Sequence, residues 1–336
     1  MPKRIAGSVI VITGASTGIG RASALAFARA GATVVVTSRR EQALHRLAEQ
    51  CETLGGKALA IAADVTDERA LREVARQTND AFGRIDVWIN NAAVTLFARL
   101  EQAPPEAYRR VIETNLFGYV HGARAALPYF REHGSGILIN ISSGIGKMGS
   151  PFVSAYATSK FAIVGFSESL RMELRDAPNI HVCTVLPAAI DTPLFQQGAN
   201  FTGRAVKPIL PVYSAEKVAH ALTELVRQPR REIVVGASAK IGLMMHAIAP
   251  GLTERIFAKN VERQHFDDRP APLSEGNLFK PMSYETTGGG WRRATGDRRL
   301  SNGSLLGAAA FAASVCLLIA CGRLLRPRRT FKALLR

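Results

Sequence analysis

The chain has 336 residues, 47% of them hydrophobic, four cysteines and a formal net charge of +16. That is ample apolar material for one large α/β domain with an appendage, while the scattered Cys51, Cys183, Cys316 and Cys321 exclude a disulfide framework or a zinc site. Ten of the 43 basic residues and one of the 27 acids fall in 290–336, so the tail carries +9 and the remainder only +7, with no nucleic-acid-reading module beside the charge.

The dispersed histidines offer no metal-ligand spacing, so no metal is expected. The apolar run Val9–Ile12 is too short for a secretory signal, which makes a reducing, cytoplasmic setting the expectation. Ser8–Thr13 is a β-branched strand, followed by Gly14, Gly18 and Gly20 in a GxxxGxG turn and a helical pattern to Ala30. In a strand, glycine turn and helix of this kind, the backbone approaches a pyrophosphate at the helix N-terminus. Thr33–Thr37 is the second strand, and its end decides which adenosine ribose is accepted. Ser38, Arg39 and Arg40 stand there without a carboxylate until Glu41, and a guanidinium pairs bidentately with phosphate, so NADP is preferred over NAD.

Lys57–Ala62 is a third strand closing on Asp64-Val65; a helix over about 67–82 and the strand Ile85–Asn90 follow, ending in Asn90-Asn91-Ala92-Ala93. Short apolar strands alternating with helices predict an α/β fold: a single Rossmann-like, doubly wound parallel sheet with helices on both faces. One long helix is predicted from Pro105 to Arg131, with Gly118 and Gly122 permitting close packing. Asn115 lies inside it against propensity, serving either a core hydrogen bond or the site. The strand Ile137–Ile141 delivers Ser142 and Ser143, and a helix from Ser154 puts Tyr156 and Lys160 one turn apart. An ammonium beside a phenol is a device for lowering the phenol's pKa toward proton shuttling. Val182–Leu186 is the next strand, closing on the Pro187–Thr192 loop.

TGASTGIG (13–20), DV (64–65), NNAA (90–93), Asn115, the serine pair with YATSK (156–160) and the Pro187–Thr192 loop occur in order and in register. Together they resemble the short-chain dehydrogenase/reductase family over about residues 5–240, with Ala93 and Ala188 standing where the family commonly has glycine. The resemblance implies Tyr156 as general acid/base, Lys160 as its partner and ribose ligand, and Asn115 as anchor of a proton-supply water. Ser143, thirteen residues before Tyr156, matches the family's carbonyl-polarising serine. It implies further that Gly14, Ser16, Thr17, Gly18, Ile19, Gly20, Arg39, Asp64, Val65, Asn91, Ala92, Ile190 and Thr192, with Tyr156 and Lys160, bind the cofactor. A homodimer or homotetramer is also implied.

The domain plan follows. Residues 1–240 form the catalytic domain, 241–261 a helical extension that packs on it, 262–304 a flexible linker, 305–322 a candidate membrane helix and 323–336 a basic tail. The uncharged run 305–322 would span about 27 Å as a helix at ~1.5 Å per residue, near the minimum for a bilayer. Phe195, Phe201, Ile209 and Leu210 in an irregular lid suggest an apolar substrate, or else form the lid's own core. The expectation is an NADP-dependent oxidoreductase interconverting a carbonyl and a secondary alcohol on an apolar small molecule, cytoplasmic and tethered by its C-terminus. The alternatives are a 3-oxoacyl-carrier-protein-type reductase and a non-catalytic tethered scaffold that only binds NADP.

Overall fold

The structure is a computed structural model that describes residues 4–294. Seven strands form its central sheet: β1 (Val9–Thr13), β2 (Thr33–Ser38), β3 (Lys57–Ala62), β4 (Val87–Asn90), β5 (Gly136–Ile141), β6 (Ile180–Pro187) and β7 (Glu232–Val235). All pair in parallel, in the spatial order β7, β6, β5, β4, β1, β2, β3. A parallel sheet needs cover on both faces, which is why β1 and β5 are mostly apolar and are buried throughout. Alternate residues feed opposite cores. Ile10, Ile12 and Val34 pack with α1 (Gly18–Arg29) and α2 (Glu41–Thr53). Val9, Val11 and Val35 pack with α3 (Glu68–Phe82) on the other face.

The order reverses beside β1: the chain winds outward to β3 and returns to place β4 on β1's other side. Such a switch point opens a crevice at the strands' carboxyl ends. Thr13 closes it structurally, its Oγ1 accepting from the Asn91 and Ala92 amides at 3.0 and 3.1 Å.

The predicted helix from Pro105 to Arg131 is not continuous. It divides into α4 (Pro105–Ile112), a π-helical turn at Glu113–Phe117, and α5 (Gly118–Glu132). Asn115 explains the break, because its buried amide leaves the helix and bonds the loop after β4. Close packing at the two glycines holds: a Cβ on Gly118 would meet Val65 Cγ2 at 2.7 Å, and one on Gly122 would meet Asn90 Oδ1 at 2.1 Å. Asn90 belongs to a buried chain in which its Nδ2 donates to Asn140 Oδ1 at 2.9 Å and Asn140 Nδ2 donates to Ser167 Oγ at 2.9 Å. Ser167 lies on α6 (Ser154–Glu173).

After α7 (Ala215–Arg227) and β7 come α8 (Ala237–Ile248) and α9 (Pro250–Gln264), the helical extension expected over 241–261. Leu243 and Phe257 from these helices face the central cavity, and Val261 is buried. The flexible linker expected over 262–304 is corrected across its described part. Residues 266–270 form a strand antiparallel to Arg204–Val206, and Leu278 is buried with Val94, Leu96 and Val111. This segment lacks hydrophobic periodicity because single side chains and backbone bonds hold it, not an amphipathic face. The expectations for 305–322 and 323–336 lie outside the described residues. Among those described, no helix is long and apolar enough to cross a membrane.

Gly122→Ala should therefore strike the Asn90 network head-on. We expect a loss of about 2–4 kcal/mol of unfolding free energy by denaturant titration, from overpacking combined with a broken buried hydrogen-bond chain. A change below about 0.5 kcal/mol, the usual range for a surface substitution, would show that the contact is not rigid.

Candidate active site

A cavity of about 490 Å³ runs along the carboxyl ends of the strands, from the glycine turn to Tyr156 and Lys160. Gly14 has φ +63°, and a Cβ there would meet Ala92 Cα at 2.6 Å, so the turn must be glycine to lie against the end of β4. Asn91 locks this contact, its Nδ2 donating to Thr13 O at 2.9 Å and Gly14 O at 3.2 Å. Ser16, Thr17, Gly18 and Ile19 then line the cavity at the N-terminus of α1. Gly20 does not. Its missing Cβ makes room for Gly14 O and Asn91 Nδ2, which is a packing role.

Asp64, Val65, Asn91 and Ala92 line the cavity on the β3 and β4 side, with Ile190 and Thr192 on the β6 side. Asp64 accepts from Thr66 and from Arg110 Nη2 at 2.8 Å. Burial pushes its carboxyl upward, but the Thr66 hydrogen bonds with Arg110 and Arg39 outweigh that and leave it below the usual range. Arg39 also faces the cavity, but its guanidinium is engaged by backbone carbonyls of residues 277–279. Burial draws its pKa below the usual arginine value, opposed by Asp64.

At the far end the two serines separate. Ser142 Oγ donates to Lys160 O at 2.8 Å and is structural. Ser143 caps a short turn by accepting from the Ile145 amide at 3.2 Å, and it lines the cavity together with Tyr156. Lys160 is buried, with Nζ donating to Ile141 O at 2.8 Å and lying 5.3 Å from the ring centroids of both Tyr119 and Tyr156.

Charge tuning departs from expectation here. Burial pushes Tyr156 up to about 12, and the Ser143 hydroxyl only partly offsets this. Burial likewise draws Lys160 down to about 7. Desolvation disfavours the charged form of each, so it outweighs the expected lowering of the phenol by the ammonium. Tyr156 is half-buried and lines the cavity.

The Asn115 side chain makes core hydrogen bonds. Its Oδ1 accepts from Val94 N at 2.8 Å, and its Nδ2 donates to Val94 O at 2.9 Å and Ser159 Oγ at 3.0 Å. It thereby ties the loop after β4 to the helix carrying Tyr156, without lining the cavity. Of the lid aromatics, Phe195 lines the cavity with Ile209 and Leu210, whereas Phe201 packs against the cluster around Val94 and Leu96.

Sequence reasoning passed over several residues. Arg110 bonds Asp64 from α4, Asn277 and Met282 line the cavity from the C-terminal segment, and His265 packs edge-on to Phe97 and Phe195. Burial pulls His265 down to about 4, so it stays neutral at ordinary pH. Each lies far along the chain from the motifs, and no local pattern marks it.

With this geometry in view, comparisons with known proteins agree on the class. The sequence matches the short chain dehydrogenase family over residues 8–203. It is 35% identical over 299 residues to the uncharacterized oxidoreductase YxnA of Bacillus subtilis, covering 87% of this chain and 84% of that one. It is 32% identical to 11-beta-hydroxysteroid dehydrogenase A of Sesamum indicum, covering 75% of each. The crystal structure of an alcohol dehydrogenase from Thermococcus sibiricus, complexed with 5-hydroxy-NADP, superposes with TM-score 0.60 at 27% identity, covering 68% of this chain and 95% of that one. The chain belongs to the short-chain dehydrogenase/reductase family of oxidoreductases.

Lys160 also sets a pH dependence of stability. Its folded pKa, about 7, lies below its ordinary 10.5, so between these values the unfolded chain binds more protons and stability rises with pH. Below about pH 7 the burial penalty is fully present. We expect Lys160→Met to be more stable than the wild type at about pH 6, with the difference shrinking by about pH 9, by denaturant unfolding at both. A gap independent of pH would show that Lys160 is not buried with a lowered pKa.

Proposed function

We propose that the chain is an NADP-dependent reductase or dehydrogenase interconverting a carbonyl and a secondary alcohol on an apolar substrate. One observation carries this reading: Ser143, Tyr156 and the buried Lys160 line the same cavity as the glycine turn. The cavity's dimensions and lining suit a dinucleotide, with Ser16 to Ile19 at the phosphates and Asp64 and Val65 at the adenine. NADP(H), when bound, supplies or accepts the hydride. In the reducing direction Ser143 donates to the substrate carbonyl oxygen and polarises it. Tyr156 gives its proton to that same oxygen. Lys160, when protonated, holds positive charge next to the phenol as the proton leaves. Asn115 keeps Val94 and Ser159 at fixed distance, and with them the Tyr156 helix; in this reading it also anchors the water that resupplies the proton.

Arg39 and Arg40, with no carboxylate at the end of β2, support NADP over NAD. The bound 5-hydroxy-NADP of the Thermococcus enzyme agrees. Phe97, Met148, Phe195 and Phe257 give the reacting end an apolar wall, and the hydroxysteroid dehydrogenase relatives suit a substrate of that kind. A second reading, reduction of 3-oxoacyl groups on an acidic carrier protein, draws on the basic body and on 36% identity over 58% of the chain to the 3-oxoacyl-[acyl-carrier-protein] reductase FabG of Thermotoga maritima. Activity on carrier-bound but not free substrates, lost with salt, separates the two. We also propose a homo-oligomer, and a cytoplasmic body tethered to a membrane by 305–322. For the tether, detergent extraction of the full chain is compared with a chain ending before Leu305; a full chain that stays soluble overturns it.

Across a panel of apolar ketones with NADPH, we expect Tyr156→Phe to lower kcat about 10²–10⁴-fold while leaving NADPH affinity within about twofold. Turnover unchanged in Tyr156→Phe overturns the assignment.

A further inference from the structure

Residues 277–286 cross the dinucleotide cavity and are fastened at both of its phosphate-facing places by backbone carbonyls. Arg39, the side chain placed to pair with a 2′-phosphate, gives Nη2 to Asn277 O at 2.6 Å. Its Nη1 donates to Leu278 O and Phe279 O at 3.2 and 3.3 Å. Arg40 Nη1 donates to Met282 O at 2.9 Å. At the other end the N–H of Gly18, where α1 begins, donates to Thr286 O at 2.9 Å. Pro281 and Met282 face the same cavity as Ser16 and Arg40.

Backbone N–H groups at a helix N-terminus and an arginine fork are the donors a phosphate ester seeks. Here neutral acceptors hold both. A carbonyl oxygen and a phosphate oxygen are each acceptors, and one N–H serves one well-aligned acceptor at a time. A phosphate on Arg39 would also bring anionic oxygens against three carbonyl oxygens converging on the same guanidinium. We propose that residues 277–286 form a strap whose carbonyls compete with the cofactor's phosphates for Arg39 and for the Gly18 N–H, so that NADP(H) binds by displacing it. This rests on the dinucleotide reading above. NAD(H) carries a 2′-hydroxyl and makes no claim on Arg39, so the strap opposes the two cofactors unequally and sets their ratio of affinities.

Outside the cavity the strap is pinned by an exposed ion pair. Arg46 Nε donates to Glu285 Oε2 at 2.9 Å and Arg46 Nη2 to Glu285 Oε1. Neither residue lines the cavity. That pair gives a test in the full chain, with NADPH and NADH titrated against the wild type, Arg46→Ala and Glu285→Ala. Both substitutions loosen the strap, and we expect each to tighten NADPH about two- to fivefold, the range an exposed pair is worth, with a smaller effect on NADH. Plain charge attraction of the anionic cofactor predicts opposite signs for the two, and that result overturns the strap.

Amide hydrogen exchange is the second readout. NADPH should protect 14–20 while raising exchange in 277–286. Protection of 14–20 with 277–286 unchanged or slowed overturns the strap and leaves the cofactor reading intact. No protection of 14–20 by either nucleotide overturns the cofactor reading and the strap with it.

Discussion

Lys160 sits in the interior with its Nζ donating to a single backbone carbonyl, that of Ile141, and between the rings of two tyrosines. Burying an ammonium so sparsely partnered is unfavourable, and the surrounding fold has to impose it. Several contacts do so. Ser142 Oγ donates to Lys160 O and holds the helix backbone there, Tyr119 donates to the same Ile141 carbonyl at 2.9 Å, and Gly146 leaves space for Ser142 Oγ and Lys160 O. The same burial raises Tyr156 and lowers Lys160, driving apart a phenol and an amine whose ordinary values nearly coincide, in the direction opposite to simple charge pairing. A site of this kind is built on rigid elements, and here they are β5 and α6.

The switch point supplies the other half. Thr13, Gly14 and Asn91 seal the crevice between β1 and β4, so that the glycine turn and the Tyr156 helix face one cavity from opposite sides. The Asn90, Asn140 and Ser167 chain lies beneath, crossing from β4 through β5 to α6 in the sheet's interior. Buried polar chains of this sort hold register when every member is satisfied. The glycine-turn end and the Tyr156 end of the cavity are therefore tied through packed polar side chains, not through a loop.

Much of this was legible in the sequence. The strands of a doubly wound sheet are continuous apolar runs, and the motifs fall at their polar ends, so the sheet, Ser143, Tyr156, Lys160 and the glycine turn could be read locally. What could not be read is long-range and backbone-mediated. The π-helical turn at Asn115 follows from a side chain reaching Val94, a contact that propensity does not encode. Residues 262–294 look like linker because their anchoring is by single residues, Phe266 and Leu278, and by carbonyls offered to arginines more than two hundred positions earlier in sequence. Arg39 was read for its charge at the end of β2, and its present partners lie on that distant segment. The motif groups Gly20 with the cofactor glycines, and the packing of its missing Cβ against Gly14 O and Asn91 Nδ2 is a long-range contact that the motif does not reveal.

Hydride transfer at the Ser143–Tyr156 end of the cavity is the central claim, and isotopic labelling addresses it directly. The wild-type chain is supplied with NADPH carrying deuterium at the transferable position and with an apolar ketone, and the product alcohol is analysed by mass spectrometry. Direct transfer predicts deuterium on the carbinol carbon, and in heavy water with unlabelled NADPH it predicts none there, because the proton from Tyr156 goes to oxygen. A product whose carbinol hydrogen comes from solvent would contradict it.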